Sequence, residues 1–275
     1  MCWRRWRCGC GARRAERSVR GAAPLTARHP AFDGMEPSPD AGVALPKLYT
    51  TAASHDLLAI GRGRDVMLKL LGRRNAYNVR KVLWLLDELG LAFAQEDWGR
   101  DFRPTNVPEF LALNPFGTVP VLLDGEAALR ESHVILRYLA AREHAWSLYP
   151  RELIQRAHVE AWMDWVAYDM TVAMRGAYLG GELGLEPWCQ PQFLEVGRAE
   201  YARRMGQLDA ALAAGGPFLA GHEFTLADIP AGFVVHRWFA MSKLPQKPEM
   251  PALGAYYERL SERPAFRRHI RNGLP

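Results

Sequence analysis

The run Asn114-Pro115-Phe116-Gly117-Thr118-Val119-Pro120-Val121-Leu122 constrains the fold more than any other stretch of this 275-residue chain. Pro120 stands near the start of an apolar run, Val119 to Leu123, that otherwise reads as a strand. Proline cannot donate to a ladder, so it belongs at a strand start, an edge or a bulge. A cis bond before Pro120 turns the Val119 amide and carbonyl outward, where an extended, peptide-like ligand can pair with them as an added strand. Eleven residues after Pro120, Glu131-Ser132 opens a helix-patterned segment. The amides and positive dipole end of a helix start favour a carboxylate. A strand edge that grips a peptide backbone, beside a helix start that grips a carboxylate, implies a ligand with both features.

The flanking patterns supply the rest of a domain. Met67 to Leu71 reads as a first strand. From Ala76 to Leu89, apolar residues fall at Val79, Val82, Leu83, Leu86 and Leu89, a helical spacing stopped by Gly90. Ala92 to Trp98 reads as a second strand, parallel to the first through a right-handed crossover. Thr105 to Leu113 predicts a short helix or turn, Asp124-Gly125 a hairpin, Ala127 to Arg130 a fourth strand and Ser132 to Arg142 a helix. This βαβ–α–ββα order is thioredoxin-like. Beyond a linker at 145–150 everything reads as helix: Arg151 to Tyr178, Pro191 to Ala214, Pro251 to Ser261 and Pro264 to Arg271. Phe224-Thr225-Leu226-Ala227-Asp228-Ile229 is a helix start, with Thr225 capping the Asp228 amide, Asp228 reaching back to the Thr225 amide, and Phe224 and Ile229 as a hydrophobic staple. Asp228 is thereby read as structural and not as a catalytic acid. The expected domains are 67–144, α/β and thioredoxin-like, and 151–275, all-α.

The net charge of +5 invites a nucleic-acid reading, but its distribution opposes one. Residues 1–66 hold 11 basic and 6 acidic side chains, whereas the remainder holds 24 of each and has no net pull on polyanions. Residues 1–66, rich in arginine and broken by Pro24, Pro30, Pro37, Pro39 and Pro46, read as a disordered extension or an over-extended start, with Met35 or Met67 as alternative beginnings. They lack a secretory apolar core, and their Arg-rich opening resembles a mitochondrial presequence. Cys2, Cys8, Cys10 and Cys189 suit a reducing compartment, and the Cys8-Gly-Cys10 spacing is too tight for a zinc knuckle. No metal, no nucleic acid, no transmembrane helix and a cytoplasmic location are expected.

The motifs Asn114-Pro115-x-Gly117-x-Val119-Pro120, Leu129-x-Glu131-Ser132-x-x-Ile135-x-x-Tyr138-Leu139 and Phe224-Thr225-Leu226-Ala227-Asp228-Ile229 together resemble the glutathione S-transferase superfamily, in its bacterial cytosolic, theta- or nu-like form. The resemblance runs from about Met67 to the C-terminus. It implies the two-domain glutathione S-transferase fold, glutathione as co-substrate, a detoxifying transferase acting on a hydrophobic electrophile, and a homodimer. It implies that Val119 binds the cysteinyl backbone, that Pro120 is cis, and that Glu131 and Ser132 bind the γ-glutamyl ammonium and carboxylate. A helix cap is the plainer reading of Glu131-Ser132.

The family lowers the pKa of the glutathione thiol with a fixed donor after the first strand. Here the chain departs from the pattern, because Ala76 occupies the position where theta-type members carry serine. Asn78 matches an asparagine of nu-type members and its amide can donate. Tyr77 and Asn75 are the other candidate donors, and an N-cap role without chemistry is the competing reading of Asn78. Trp162, Trp165, Tyr168 and Met174 are candidates for the electrophile wall, with core packing the competing role of each. The open alternatives are a nu-like disulfide or peroxide reductase and a non-catalytic relative that binds glutathione. An isomerase of the zeta type is disfavoured by Asn75-Ala76-Tyr77-Asn78.

Overall fold

The computed structural model describes residues 67–244 and 247–274, so the expectations for residues 1–66 lie outside the described residues. The first half runs β1 (Leu68–Leu71), α1 (Tyr77–Glu88), β2 (Phe93–Glu96), α2 (Pro108–Leu111), β3 (Val121–Asp124), β4 (Ala127–Arg130) and α3 (Ser132–Arg142). The sheet order is β2-β1-β3-β4. β1 is parallel to β2 and antiparallel to β3, which is antiparallel to β4. Side-chain alternation assigns the faces. The register pair Leu70 and Leu122 joins the main core with α1 and α3, while the next pair, Leu71 and Val121, joins Trp98 and Phe110 on the opposite face. β3 starts at Val121, two residues later than the sequence indicated. Pro120 has no N–H to offer a ladder, so Val119-Pro120 forms the approach to the strand. α1 ends as read, with Gly90 at φ +63 and the Leu91 amide bonded to the Leu86 carbonyl at 2.9 Å.

The second half comprises α4 (Leu153–Trp165), α5 (Thr171–Met174), α6 (Pro191–Gly215), α7 (Asp228–Ala240), α8 (Pro251–Ser261) and α9 (Pro264–His269). The single long helix expected over 151–178 is corrected in two ways. Two π-helical stretches, Val166–Met170 and Arg175–Glu182, flank α5, and the helical path continues past Tyr178 to Glu182. Gly176 and Gly197 let this path cross α6 closely. A Cβ on Gly197 would stand 2.5 Å from the Gly176 Cα, and one on Gly176 would stand 2.2 Å from the Phe193 carbonyl oxygen. Gly197→Ala should therefore destabilise the fold by about 1–3 kcal/mol through overpacking, against the gain of about 1 kcal/mol that alanine brings to an unobstructed helix. Thermal denaturation checks the sign, and a stabilised variant would contradict the close crossing.

The start of α7 is tied as the motif suggested, with one difference. The Thr225 amide donates to Asp228 Oδ2 at 2.8 Å. The Thr225 hydroxyl accepts from the Ala227 amide at 3.3 Å, not from the Asp228 amide, which turns to the Thr225 carbonyl at 3.1 Å. The first turn is a tight one, and the hydroxyl is left to donate to Asp228 Oδ2 at 3.2 Å. Phe224 and Ile229 are both in the main core.

The C-terminal segment is fastened to α1. The Arg80 guanidinium donates to the carbonyls of His269 at 2.5 Å and Ile270 at 2.6 Å, and Arg263 pairs with Glu88 at 2.6 Å. These bonds run along the helix whose first turn carries Tyr77 and Asn78.

Candidate functional site

The turn that delivers Val119 is held by a buried amide. Asn114 Nδ2 donates to the Thr118 carbonyl at 2.8 Å and to Thr118 Oγ1 at 3.0 Å, while its Oδ1 accepts from the Phe116 amide at 3.2 Å. The Val119–Pro120 bond that follows is cis. Gly72, at the end of β1, packs against this turn. A Cβ on it would lie 2.6 Å from Val79 Cγ2 and 3.0 Å from Val119 Cβ. The bare glycine thus lets the loop before α1 lie directly against Val119.

Across β3 and β4, Glu131 takes φ +68 at the cap position of α3 without capping it, and its side chain is 62% exposed. Ser132 is buried as the first helical residue. The first-turn amides of α3 thus receive no side-chain cap and offer an anion a place to bind.

At α1, the cap position belongs to Ala76, which is extended (φ −72, ψ 136) and makes no side-chain cap bond. Asn78 is the second helical residue and does not cap the helix. Its Oδ1 accepts from Lys81 Nζ at 3.1 Å, which selects the amide orientation and leaves the NH₂ as the outward group. Asn75 is exposed in the preceding turn. The Tyr77 ring meets Phe233 edge-on at 4.5 Å between centroids, and its hydroxyl, beside Thr171, is buried with no partner in hydrogen-bonding geometry. Burial raises the Tyr77 pKa, which disfavours a phenolate there.

Lys81 was not singled out in the sequence. It is 2% exposed, donates to His133 Nε2 at 3.1 Å and lies 4.1 Å from the Tyr77 ring centroid. Burial, reinforced by the charge of Arg237, lowers its pKa to about 7. Burial and then the charge of Lys81 lower His133 to about 2, so this imidazole is neutral and accepts. The unfolded chain keeps the Lys81 proton up to about 10.5, whereas the folded chain sheds it from about 7. Stability must therefore rise with pH across that window, and the burial cost is felt in full below it. Lys81→Met should remove up to about 1 kcal/mol per pH unit of that rise, read as the change in urea stability across the window. Parallel pH curves for the two proteins would contradict a depressed Lys81.

A cavity of about 220 Å³ opens beside Tyr77. Thr171, Met174, Tyr178, Leu179 and Leu183 of the kinked helical path and its end form one side, and Arg73, Arg100, Arg175 and Arg237 also line it. Of the four candidate wall residues, the structure places Met174 in this cavity with Tyr77. Trp162 and Trp165 meet edge-on at 5.6 Å between centroids along a separate groove near Gln207, and Tyr168 is 74% exposed. Each π turn takes up an extra residue, which turns the helix face by about 100° relative to a regular helix. Arg237 was also missed. Its available signal was an arginine, beside His236, closing the apolar run Ile229 to Val235.

Cys189 lies elsewhere, donating its thiol to Glu186 at 3.0 Å, and this bond raises its pKa. Among the described residues, no cluster of His, Cys, Asp and Glu could hold a metal, and no helix is long and apolar enough to cross a membrane.

Residues 66–141 match the family model for the glutathione S-transferase N-terminal domain, and residues 191–264 match that for the C-terminal domain. The chain is 36% identical over 206 residues to glutathione S-transferase GstB of Escherichia coli K12, covering 74% of this chain and 98% of that protein. It is similar in structure to the theta class glutathione S-transferase of Xanthomonas axonopodis pv. citri solved with glutathione bound, at 37% identity and a TM-score of 0.69, covering 76% and 99% of the two chains. Elongation factor 1-gamma 3 of Oryza sativa subsp. japonica is 34% identical over 164 residues, which are 59% of this chain and 39% of that protein.

Proposed function

The chain belongs to the glutathione S-transferase family, and from this we propose that it activates the glutathione thiol and aims the thiolate at an electrophile in the Tyr77 cavity. The observation that carries the reading is Asn78. Its amide is oriented by Lys81 so that the NH₂ faces outward at the N-terminal end of α1, where the helix dipole also favours negative charge. One fixed donor of this kind holds a thiolate without further reorganisation. The thiol proton passes to water, the sulfur attacks the electrophilic carbon, the new C–S bond forms, and the leaving group departs with its electron pair.

Glutathione itself lies along the Val119-Pro120 approach, with its cysteinyl backbone paired to Val119. Its γ-glutamyl carboxylate sits at Ser132 and the start of α3, and its ammonium at the exposed Glu131 carboxylate. In this reading residues 67–144 hold glutathione and residues 151–275 hold the electrophile. The protein acts as a cytoplasmic homodimer that detoxifies electrophiles, since twofold closure is the commonest assembly.

A non-catalytic glutathione-binding role is the second reading. It is favoured by Ala76, which has no donor, and by the similarity to a protein named elongation factor 1-gamma 3. Three measurements separate the possibilities. Retention on immobilised glutathione reports binding, a generic chloronitrobenzene reports conjugation, and a mixed disulfide reports the nu-like reductase. Conjugation above the uncatalysed rate is expected. Binding with both assays blank would overturn the enzyme reading.

A further inference from the structure

The Tyr77 cavity gathers four arginines and no carboxylate among its lining residues. Arg237 is only 6% exposed. Its guanidinium lies over the rings of Tyr178 at 3.8 Å, Tyr77 at 4.5 Å and Phe233 at 5.1 Å, Nη1 donates to the Met174 sulfur at 3.5 Å, and the Tyr178 side chain is a further hydrogen-bond partner. Its Nε is buried without a hydrogen-bond partner, as is the Tyr77 hydroxyl in the same wall. Partial burial, and after it the charge of neighbouring Arg100, lower the Arg73 pKa, with Asp101 acting in the opposite sense. Arg175 is exposed at the rim, its guanidinium over Trp188. No carboxylate lines the cavity, and no described carboxylate forms an ion pair with any of these four arginines.

Like charges held together in a part-buried site are costly unless an anion offsets them. The guanidinium fork is matched to carboxylates, and a buried Nε with no partner is a donor waiting for an acceptor. The remaining lining, Met174, Leu179, Leu183 and the Tyr178 ring, suits the body of an aromatic or aliphatic molecule.

We propose that the second substrate is an organic anion: an electrophile with an apolar, ring-sized body and a carboxylate, the carboxylate being held by Arg237 and the Tyr77 hydroxyl with Arg175 at the rim. The proposal rests on the conjugation reading above and names the class of electrophile that site takes. For an aryl chloride, the glutathione sulfur forms the C–S bond, the C–Cl bond breaks, and chloride leaves with its pair while the carboxylate stays ionised in the arginine cluster.

The test uses two electrophiles of one shape, para-chloro-meta-nitrobenzoate and the corresponding benzamide, each rate divided by its uncatalysed reaction with glutathione. The full chain is expected to show kcat/KM for the benzoate about tenfold or more above that for the benzamide, the worth of one hydrogen bond to a charged group. Arg175→Gln, at an exposed position, should lower the benzoate value about tenfold while the benzamide value and the glutathione KM hold within about twofold. Arg237→Gln should do the same where it folds, and Arg175→Gln decides the matter where it does not. Equal rates for the two electrophiles, or equal losses for both in Arg175→Gln, would overturn the proposal. So would a rise in glutathione KM in step with the loss, which would assign the arginines to glutathione's own carboxylates. If neither electrophile turns over, the conjugation reading fails by itself. Calorimetric binding of the glutathione conjugates bearing the carboxylate and the carboxamide still decides the anion: tighter carboxylate binding supports it, and equal binding overturns it.

Discussion

Asn78→Ala is expected to lower kcat for conjugation by about 10²-fold, the cost of one oriented donor to a developing or held anion, with glutathione affinity changed by less than about threefold because the proposed binding contacts are Val119, Glu131 and Ser132. The structure narrows the choice of donor. Ala76 occupies the cap position, so Asn78 is released from capping, and its carbonyl side is taken by Lys81. Asn75 is exposed, and the Tyr77 hydroxyl is buried toward Thr171 in the neighbouring cavity. Asn78→Asp should be at least as damaging as alanine. The new carboxylate would accept from Lys81 and set a negative charge where the thiolate forms. Steady-state kinetics with saturating glutathione reads both variants. Unchanged turnover in Asn78→Ala would transfer the role to Tyr77, which Tyr77→Phe would then reveal.

The largest expected loss of stability is at Asp228. Its two oxygens accept from the amides of Leu219 at 3.1 Å and Thr225 at 2.8 Å, and from the hydroxyls of Tyr256 at 3.0 Å and Thr225 at 3.2 Å. The residue is fully buried, and burial pulls its pKa up to about 6 against these four donors. Asp228→Ala strands buried donors from three different segments at once, each costing about 1–3 kcal/mol when unpaired, so a loss of about 3–5 kcal/mol is expected. A chain of this size loses about 2–4 °C per kcal/mol, so the melting midpoint should fall by about 10 °C. The protein that remains folded should conjugate at the wild-type rate, because Asp228 holds the α7 start and touches no substrate. A selective loss of turnover at unchanged stability would contradict that assignment.

The skeleton of the molecule was legible because its signals are local. Gly90, the Asp124-Gly125 hairpin and the apolar periods of α1 and α3 each determine a few neighbouring residues, and the elements end close to where those signals stand. The Val119-Pro120 approach was legible for the same reason, since Asn114 through Pro120 form one contiguous turn. The cavity was not. Its cations come from α7, the π-helical path and the loops after β1 and β2, which only tertiary packing brings together. Lys81 drew no reading from the sequence, because nothing at i±3 or i±4 announces that His133 of α3 will cover it. Tyr168 looked like a wall residue on a regular helix. The π stretch Val166–Met170 changes that phase, and Tyr168 faces solvent.

Titration of the thiol in the binary complex with glutathione tests the central claim most directly. Thiolate absorbance in the ultraviolet, followed against pH for the wild type and Asn78→Ala at saturating glutathione, reports the thiol pKa where it matters. A free thiol of this kind titrates near about 8.5. The wild-type complex is expected to titrate at least about one unit lower, with Asn78→Ala returning most of the way to the free value. A bound thiol with the same pKa in both proteins would contradict Asn78 as the group that holds the thiolate.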